Sequence, residues 1–498
     1  MTSSTVALLY NIIQRNDSKK QISDIMSIAP KLKHLQIPLD RIKLATNNFA
    51  DQNILGRGGF GKVYKGELPM STTSGEPFNT IIVAVKRLDL KSRRQSGQGR
   101  QQFFREIFIL ANHKHANMVT LVGFCEEGDE HIIVYEHEAH GSLDKFLGNT
   151  ELTWLQRVRI CLGAARGLVY LHGSDASVHR VIHCDIKSAN ILLDENWEAK
   201  ISDFGLSKIG LMHQEFTYLF TNACGTKGYV DPQYAANNVL TKESDVYSFG
   251  MVLFEVLCGR CATVVNVIDK KHNYDYLSES VKLHYEKGTL DEIIFSSLRE
   301  EIKPSSLETF SRIAYRCLNT DNENRPTMRA IVQELETALE LQMNIRKTEL
   351  WGSSTGGEPW SFRLESNKKL RKIFIDHKRW IYSIAFTTQD VGDSVNYFQQ
   401  YGAACGPSGD TITQVNFDID EEIIEIQGTI TKVPIISGSL TLLSSLCFLT
   451  NKKRYGPFGY EEEDARFSKS WDEGSFRGFY GRAGFYLDGL GCFLKSIP

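Results

Sequence analysis

Residues 183–190 read His-Cys-Asp-Ile-Lys-Ser-Ala-Asn, and thirteen positions beyond Asn190 stands Asp203, followed by Phe204-Gly205. A carboxylate, an ammonium, an amide and a second carboxylate in this order suit phosphoryl transfer. Asp185 would orient an attacking hydroxyl and accept its proton. Lys187 would sit against the transferred phosphate, and Asn190 and Asp203 would hold Mg²⁺. Such a transfer asks little covalent chemistry of the protein; it asks for charge neutralisation and alignment. Upstream runs Gly56-Arg57-Gly58-Gly59-Phe60-Gly61, with Val63 opening a strand-like stretch. Glycines there let backbone amides approach phosphate oxygens with no Cβ between. Alone, the pattern also describes an ordinary glycine-rich turn. Val83-Ala84-Val85-Lys86 is a strand pattern that ends in a lysine placed to pair the α- and β-phosphates of a nucleotide. Glu106, in the helical run Phe103–Ile107, would clamp that lysine. Each fragment by itself reads as surface charge or turn; the ordered set does not.

The elements that must position these groups are legible in part. Strand patterns come first and helix patterns follow between residues 39 and 340. Thr153 opens a helix, with Gln156 placed for a capping box, and Leu155, Val158, Leu162, Ala165 and Leu168 follow at helical spacing. Asp245 to Leu257 is apolar nearly all round and is expected as a buried helix. From about residue 350 the texture changes to short alternating strands with Gly and Asp turns. There Val415, Phe417 and Ile419 alternate with polar residues, as do Trp380, Tyr382, Ile384 and Phe386. Residues 1 to about 36 read as a leader carrying one helix.

The totals are those of an ordinary globular chain. The 498 residues are 42% apolar and 23% charged, with a net charge of -3, which argues against nucleic acid or an anionic membrane as a partner. Ten cysteines lack paired metal-ligand spacing. Cys258-Gly-Arg-Cys261 closes an apolar helical run and reads as plain thiols, and free cysteines fit a reducing compartment. No basic region precedes the apolar patch Thr5–Ile13, so no secretory signal is expected, and Thr2 excludes myristoylation. Ile435 to Leu449 is too short and too rich in Ser and Gly for a transmembrane segment, and reads as two alternating strands. The expected location is cytoplasmic, reaching the plasma membrane only through a partner.

Residues 39–341 resemble the plant receptor-like kinase group. Besides the motifs above, the resemblance rests on Ala45-Thr46-Asn47-Asn48-Phe49, Gly225-Thr226-Lys227-Gly228-Tyr229, Ser244-Asp245-Val246-Tyr247-Ser248-Phe249-Gly250 and Asn324-Arg325-Pro326-Thr327-Met328. It implies a bilobal α+β protein kinase fold with ATP between the lobes and Mg²⁺ as cofactor. Gly56, Gly58, Gly61, Val63 and Lys86 would meet the nucleotide. Tyr135 to Glu138, including Glu136, would form a hinge whose backbone meets adenine. Asp245 would brace the catalytic loop. Lys187 and Thr226 imply serine or threonine hydroxyls of proteins as acceptors. Two positions depart from the pattern. Cys184 stands where an arginine usually binds a phosphorylated activation loop, which implies a kinase not governed by that loop, of a kind linked to immune signalling. Thr217 and Thr221 are the candidate phosphosites. Gln233 replaces a glutamate that pairs with the residue matching Arg325, so a weakened contact is expected there.

Residues 348–498 resemble a jacalin-related lectin, with 342–355 as linker and start of that domain and 1–38 as leader. The carrying residues are Leu350-Trp351-Gly352, Gly356-Gly357-Glu358-Pro359-Trp360, Leu449-Thr450-Asn451-Lys452, Tyr455-Gly456-Pro457-Phe458-Gly459 and the run Gly478–Gly491. The resemblance implies an all-β β-prism and a carbohydrate or glycoprotein ligand held by Gly357, Gly484, Phe485, Tyr486 and Asp488. Asp488 would accept from vicinal hydroxyls while aromatic side chains cover the sugar ring. A membrane receptor would be a further partner. The rival reading is a pseudokinase scaffold whose lectin-like domain binds glycans or proteins.

Overall fold

The computed structural model describes residues 32–58, 61–69, 80–89, 96–173, 179–211, 219–268, 271–364, 368–390, 396–402, 411–435, 438–462, 465–471 and 474–495. The chain divides into two compact units, Met1–Leu339 and Glu340–Pro498. The leader helix expected in residues 1–31 lies outside the described residues.

The first unit opens with an antiparallel sheet of β1 (Ile54–Gly58), β2 (Gly61–Pro69), β3 (Thr80–Leu88), β4 (Leu121–Glu127) and β5 (Glu130–Glu136), in the order β1-β2-β3-β5-β4. Alternation explains its one-sided core: Tyr64 and Leu68 on β2, Val83 and Val85 on β3, and Ile132 and Val134 on β5 point to one buried cluster. The described residues just before 39 pack on this lobe. The Ile37 N–H donates to the Phe124 carbonyl at 2.8 Å, and the buried Ile37 side chain lies over Gly123, where a Cβ would stand only 2.6 Å from it. Helix α1 (Ser96–Asn112) packs its Phe103, Ile107 and Leu110 stripe inward, and the 3-to-4 spacing carries Glu106 to the same face.

The helical lobe follows. Helix α2 (Trp154–Leu171) starts at the expected capping box, with the Thr153 hydroxyl accepting from Gln156 N–H and the Gln156 side chain accepting from Thr153 N–H. Helix α3 (Pro232–Asn237) is short. Helix α4 (Lys242–Cys258) is buried at every residue from Ser244 to Cys258, as its continuous apolarity requires. It stops at Gly259, whose φ of +69° suits a residue without a Cβ. Three of its last carbonyls find donors: Glu255 O accepts from the Gly259 N–H at 2.8 Å, Val256 O from the fully buried Arg157 guanidinium at 3.1 Å, and Leu257 O from the Phe295 N–H at 3.1 Å.

Beyond Asn344 every described element is a strand. One sheet runs Ile345–Lys347, Leu487–Lys495, Ser475–Ala483, Glu358–Arg363, with Trp351–Gly352 also paired to Leu487–Lys495. A second runs Asn396–Gly402, Ile381–Asp390, Lys368–His377, Thr411–Asn416, and a third Arg454–Gly459, Gly438–Thr450, Ile423–Ile435, Arg466–Ser470. Side chains from all three meet in one core around Phe386, Phe448 and Phe479. This is the all-β prism expected from the sequence. Two details differ. Thr411–Asn416 ends before Phe417, and Ile419 is 72% exposed in a turn that Lys452 pins through Asp418 and Asp420. Ile435–Leu449 is not two strands. Gly438–Thr450 is a single strand paired along its length with Ile423–Ile435, and its apolar run is continuous because Leu442 and Leu443 are both buried.

Candidate active site

The catalytic loop is built around Asp245 of α4. Its carboxylate accepts from the backbone N–H of His183 at 2.7 Å and of Cys184 at 2.9 Å, and contacts His172 Nε2 at 2.9 Å. The two backbone hydrogen bonds hold a loop in which Cys184 takes φ +70°, a left-handed conformation that needs such support. The expected brace is therefore in place. The loop presents Asp185, 4% exposed, with Oδ1 accepting from the Thr226 hydroxyl at 2.6 Å and Oδ2 from Lys187 Nζ at 2.8 Å. Lys187 also donates to Thr226 at 2.7 Å. Asn190 Nδ2 donates to the Asp185 carbonyl at 2.8 Å and to Oδ2 at 3.1 Å. The activation segment thus delivers Thr226 to the same carboxylate that the loop presents.

Asp203 enters from the next turn. The Ser202 N–H and hydroxyl both bond the Asn190 carbonyl, at 2.9 and 3.0 Å, which sets Asn190 and Asp203 side by side. Asp203 has φ +67°, and Phe204 behind it packs edge-on to His183 at 5.0 Å. From the sheet lobe, Lys86 Nζ donates to Asp203 Oδ1 at 2.8 Å and to Glu106 Oε2 at 2.9 Å. Burial by itself would lower Lys86, but the two carboxylates outweigh it and hold the ammonium above its ordinary range. Burial likewise works to raise Asp203, yet Lys86 keeps that carboxyl below its usual value, so the carboxylate is ready for a cation. Burial pushes Glu106 up, opposed by Lys86.

Tyr135 differs from the expected hinge role. It lies inside β5, opposite Ala84 of β3 and Leu121 of β4, and its buried hydroxyl donates to Glu106 Oε1 at 2.7 Å. It fixes the clamp rather than opening the hinge. Glu136 closes β5 and donates its N–H to Thr120 O at 3.0 Å; the chain leaves the sheet at His137 and Glu138. Burial pushes the Glu138 carboxyl up to about 7. At the other rim, Gly56 and Gly58 have open space where a Cβ would stand, and Val63 pairs with both Gly56 and Lys86. Gly61 takes φ +137° with the Arg87 carbonyl 2.1 Å from any Cβ, so no other residue fits there. A bare glycine rim above Lys86 fits a phosphate chain.

The donor set fits Mg²⁺. Asp203 offers a hard carboxylate, and the Asn190 amide, turned with its nitrogen toward Asp185, leaves its oxygen to accept. Among the described residues no three His, Cys, Asp or Glu side chains gather as a cage, so a cation on these two would complete its shell with phosphate oxygens and water. Such an ion would neutralise charge on the transferring phosphoryl group. In such a transfer the protein's own part would be to hold a hydroxyl at Asp185, accept its proton there, and set Lys187 beside the transferred phosphate.

Of the positions singled out on the activation segment, Thr221 and Gln233 are among the described residues. Thr221 is half-buried and donates its N–H to Asn238 O at 3.0 Å; Thr217 lies outside the described residues. Gln233 does not weaken the Arg325 contact, because Asp231 takes it. The guanidinium donates to both Asp231 oxygens at 2.7 and 2.8 Å, in a pair 0% and 1% exposed. Asp231 sits two residues earlier as the N-cap of α3, a position the motif comparison does not weigh. Cys258 and Cys261 are free thiols, as expected.

In the second unit, Gly357, Gly484 and Asp488 converge. Gly357 has φ +53°, and a Cβ there would lie 2.3 Å from Asp488 Oδ2; one on Gly484 would lie 3.4 Å from the same oxygen. That oxygen is buried without a hydrogen-bond partner, and burial raises the Asp488 carboxyl. Tyr486 stands against Trp380 at 5.4 Å and Tyr382 at 5.2 Å, while Phe485 is 65% exposed. The two added aromatics were visible in the sequence only as members of an alternating strand. An orphaned carboxylate oxygen beside an aromatic wall suits a polyol with one apolar face.

Comparison with known proteins bears on both units. Residues 49–335 match the model described as protein tyrosine and serine/threonine kinase, and residues 348–493 match the jacalin-like lectin domain. Similar proteins from Arabidopsis thaliana include the receptor-like protein kinase HERK 1, 44% identical over 323 residues that make up 64% of this chain and 37% of HERK 1. The receptor-like protein kinase FERONIA is 43% identical over 304 residues, 60% of this chain and 32% of FERONIA. The receptor-like protein kinase ANXUR1 is 42% identical over 322 residues, 64% of this chain and 36% of its own. The chain thus spans about a third of the length of the curated relatives it matches.

Proposed function

Since the chain belongs to the protein tyrosine and serine/threonine kinase family, we propose that it transfers the γ-phosphoryl group of MgATP to serine or threonine hydroxyls of protein substrates. The observation that carries the reading is the assembled set in which Asp185 bonds Thr226, Lys187 and Asn190 while Lys86 joins Glu106 to Asp203. Every group that alignment and charge neutralisation require is present and in contact with its neighbour. Thr226, bonded to Asp185 and Lys187, supports a serine or threonine hydroxyl as the acceptor through the resemblance described above. The test is phosphoamino-acid analysis of a protein substrate labelled by the purified chain: phosphoserine and phosphothreonine support the reading, and phosphotyrosine alone refutes it.

The second unit, in this reading, binds carbohydrate at Gly357, Gly484, Phe485, Tyr486 and Asp488, and recruits the kinase to a glycosylated partner. Recruitment raises the effective concentration of substrate without requiring a change of shape. A sugar could alter turnover only by binding two kinase arrangements unequally. Saturating monosaccharide should therefore leave turnover on a peptide unchanged; a several-fold change would replace recruitment by allosteric coupling. No helix among the described residues is long and apolar enough to cross a membrane. We place the protein in the cytoplasm, beside a membrane receptor, in plant defence or stress signalling; Cys184 in the catalytic loop supports this through the resemblance described above.

A further inference from the structure

Outside the catalytic set, one cluster of reactive side chains joins the catalytic loop to the activation segment. Cys184 precedes Asp185, and Cys224 lies two residues before Thr226. The two backbones abut: a Cβ on Gly225 would stand 2.8 Å from the Cys184 carbonyl oxygen. Cys184 packs with Val230 and Leu219 on the small core of Ile182, Tyr234 and Leu240. Cys224 Sγ lies 3.6 Å from the Tyr234 hydroxyl. Cys184 Sγ is 3.5 Å from the Ile182 carbonyl, so Tyr234 and the turn at Gly225 bring the two cysteines to one place. Both are half-buried, and Asn222 and Ala223 beside Cys224 are exposed, which puts Cys224 on the solvent side of the pair.

We propose that Cys184 and Cys224 are a peroxide-responsive dithiol whose disulfide tethers the activation segment to the catalytic loop. The groups facing the pair come from four elements. Tyr234 of α3 donates or accepts at Cys224; Lys208, on the strand Lys208–Leu211, and Arg105 of α1 face it with positive charge; Asp245 of α4 lies behind Cys184. Arg105 donates to the Gly205 carbonyl at 2.9 Å, but its Nε is buried without a partner. The Cys184 thiol, helped by Tyr234 and the two cations, brings Cys224 down to about 6, while burial pushes Cys184 well up. With Tyr234 and the two cations on its side, Cys224 is assigned as the thiolate in this proposal and Cys184 as the thiol that keeps its proton. The oxidant is a hydroperoxide. The Cys224 sulfur attacks one peroxide oxygen, the O–O bond breaks, and the departing oxygen takes a proton to leave water or an alcohol, giving a sulfenic acid. The Cys184 sulfur then attacks Cys224; the S–S bond forms, the S–O bond breaks, and the hydroxyl leaves as water with the Cys184 proton. Two thiols lose two electrons and the peroxide gains them. Exchange with a reducing dithiol reverses the bond.

The functional consequence follows from position. Thr226, two residues on, holds Asp185 and Lys187, and the covalent link restrains it against departing. The test uses the full chain treated with hydrogen peroxide and mapped by mass spectrometry without reduction. The expected product is a peptide pair joining Cys184 to Cys224, two hydrogens lighter than its parts and released by dithiothreitol. In Cys184→Ser, Cys224 should stop at the sulfenic acid and be trapped by dimedone. Amide hydrogen exchange across residues 219–226 should slow several-fold on oxidation of the wild-type chain. Dimedone labelling of Cys224 in the wild-type chain with no linked pair, labelling no faster than at the other cysteines, or unchanged exchange in the linked protein would each overturn the proposal.

Discussion

Replacing Asp231 by Ala should cost the first unit about 4–6 kcal/mol. Arg325 is fully buried, and Asp231 meets it through two parallel hydrogen bonds at 2.7 and 2.8 Å. Removing one member of such a pair leaves an uncompensated charge, an effect of ~3–5 kcal/mol. Asp231 is also the N-cap of α3, accepting from the Gln233 N–H at 3.0 Å, and losing a cap adds ~1 kcal/mol. The Asn319 and Glu243 carbonyls, both 2.9 Å from the guanidinium, still solvate it and place the outcome toward the lower end. Because the chain has two units, one melting temperature would mix them. Hydrogen exchange of the α4 amides in rising urea reports the first unit alone. Gln233→Glu should change the same quantity by less than ~1 kcal/mol, since Arg325 already has its carboxylate. A loss below ~1 kcal/mol in Asp231→Ala, or an equal loss in Gln233→Ala, would refute the assignment of Asp231 as the partner.

Three further outcomes follow. Tyr135→Phe leaves Glu106 Oε1 buried without its donor and should lower stability by ~1–3 kcal/mol, measured by the same exchange experiment; no change would return Tyr135 to a purely backbone role. Glu255 is fully buried against Tyr229 and the Ala262 N–H, and burial raises its carboxyl from 4.5 to about 7. Folded protein thus keeps a proton that unfolded protein has shed, so stability should fall as pH rises from about 4.5 to about 7, and Glu255→Gln should flatten that slope; an unchanged slope would contradict it. Asp488→Ala should abolish binding on a glycan array while leaving circular dichroism unchanged, and in the wild-type chain acid should weaken binding from above the usual aspartate range, since burial raises that carboxyl. Retained binding in the variant would move the site elsewhere.

The sequence showed most where chemistry dictates residue type. The gathering of Asp185, Lys187 and Asn190 beside Asp203 was legible because charge neutralisation allows few side chains and the loop fixes their spacing. The buried α4 and the capping box at Thr153 were legible because both are local patterns. What escaped was long-range pairing. Asp231 and Arg325 are 94 positions apart, and Tyr135 and Glu106 are 29 apart, so no periodicity joins them. Motif resemblance pointed at Gln233 because it compares positions, whereas the guanidinium chooses the carboxylate that the turn before α3 brings nearest. Ile419 misled for a related reason: alternation persists in the sequence past the end of the strand, where the Lys452 ion pairs turn the chain.

The central proposal is that Asp185 receives the substrate hydroxyl. Its most direct test is transfer of radiolabelled γ-phosphate from MgATP to a protein substrate by the purified full chain, beside Asp185→Asn and Lys86→Met. Wild-type protein should label the substrate, and each variant should fall by ~10³-fold or more with circular dichroism unchanged, as expected when alignment and charge neutralisation carry the rate. Transfer by Asp185→Asn at a rate near wild type, or none by the wild-type chain, would contradict it.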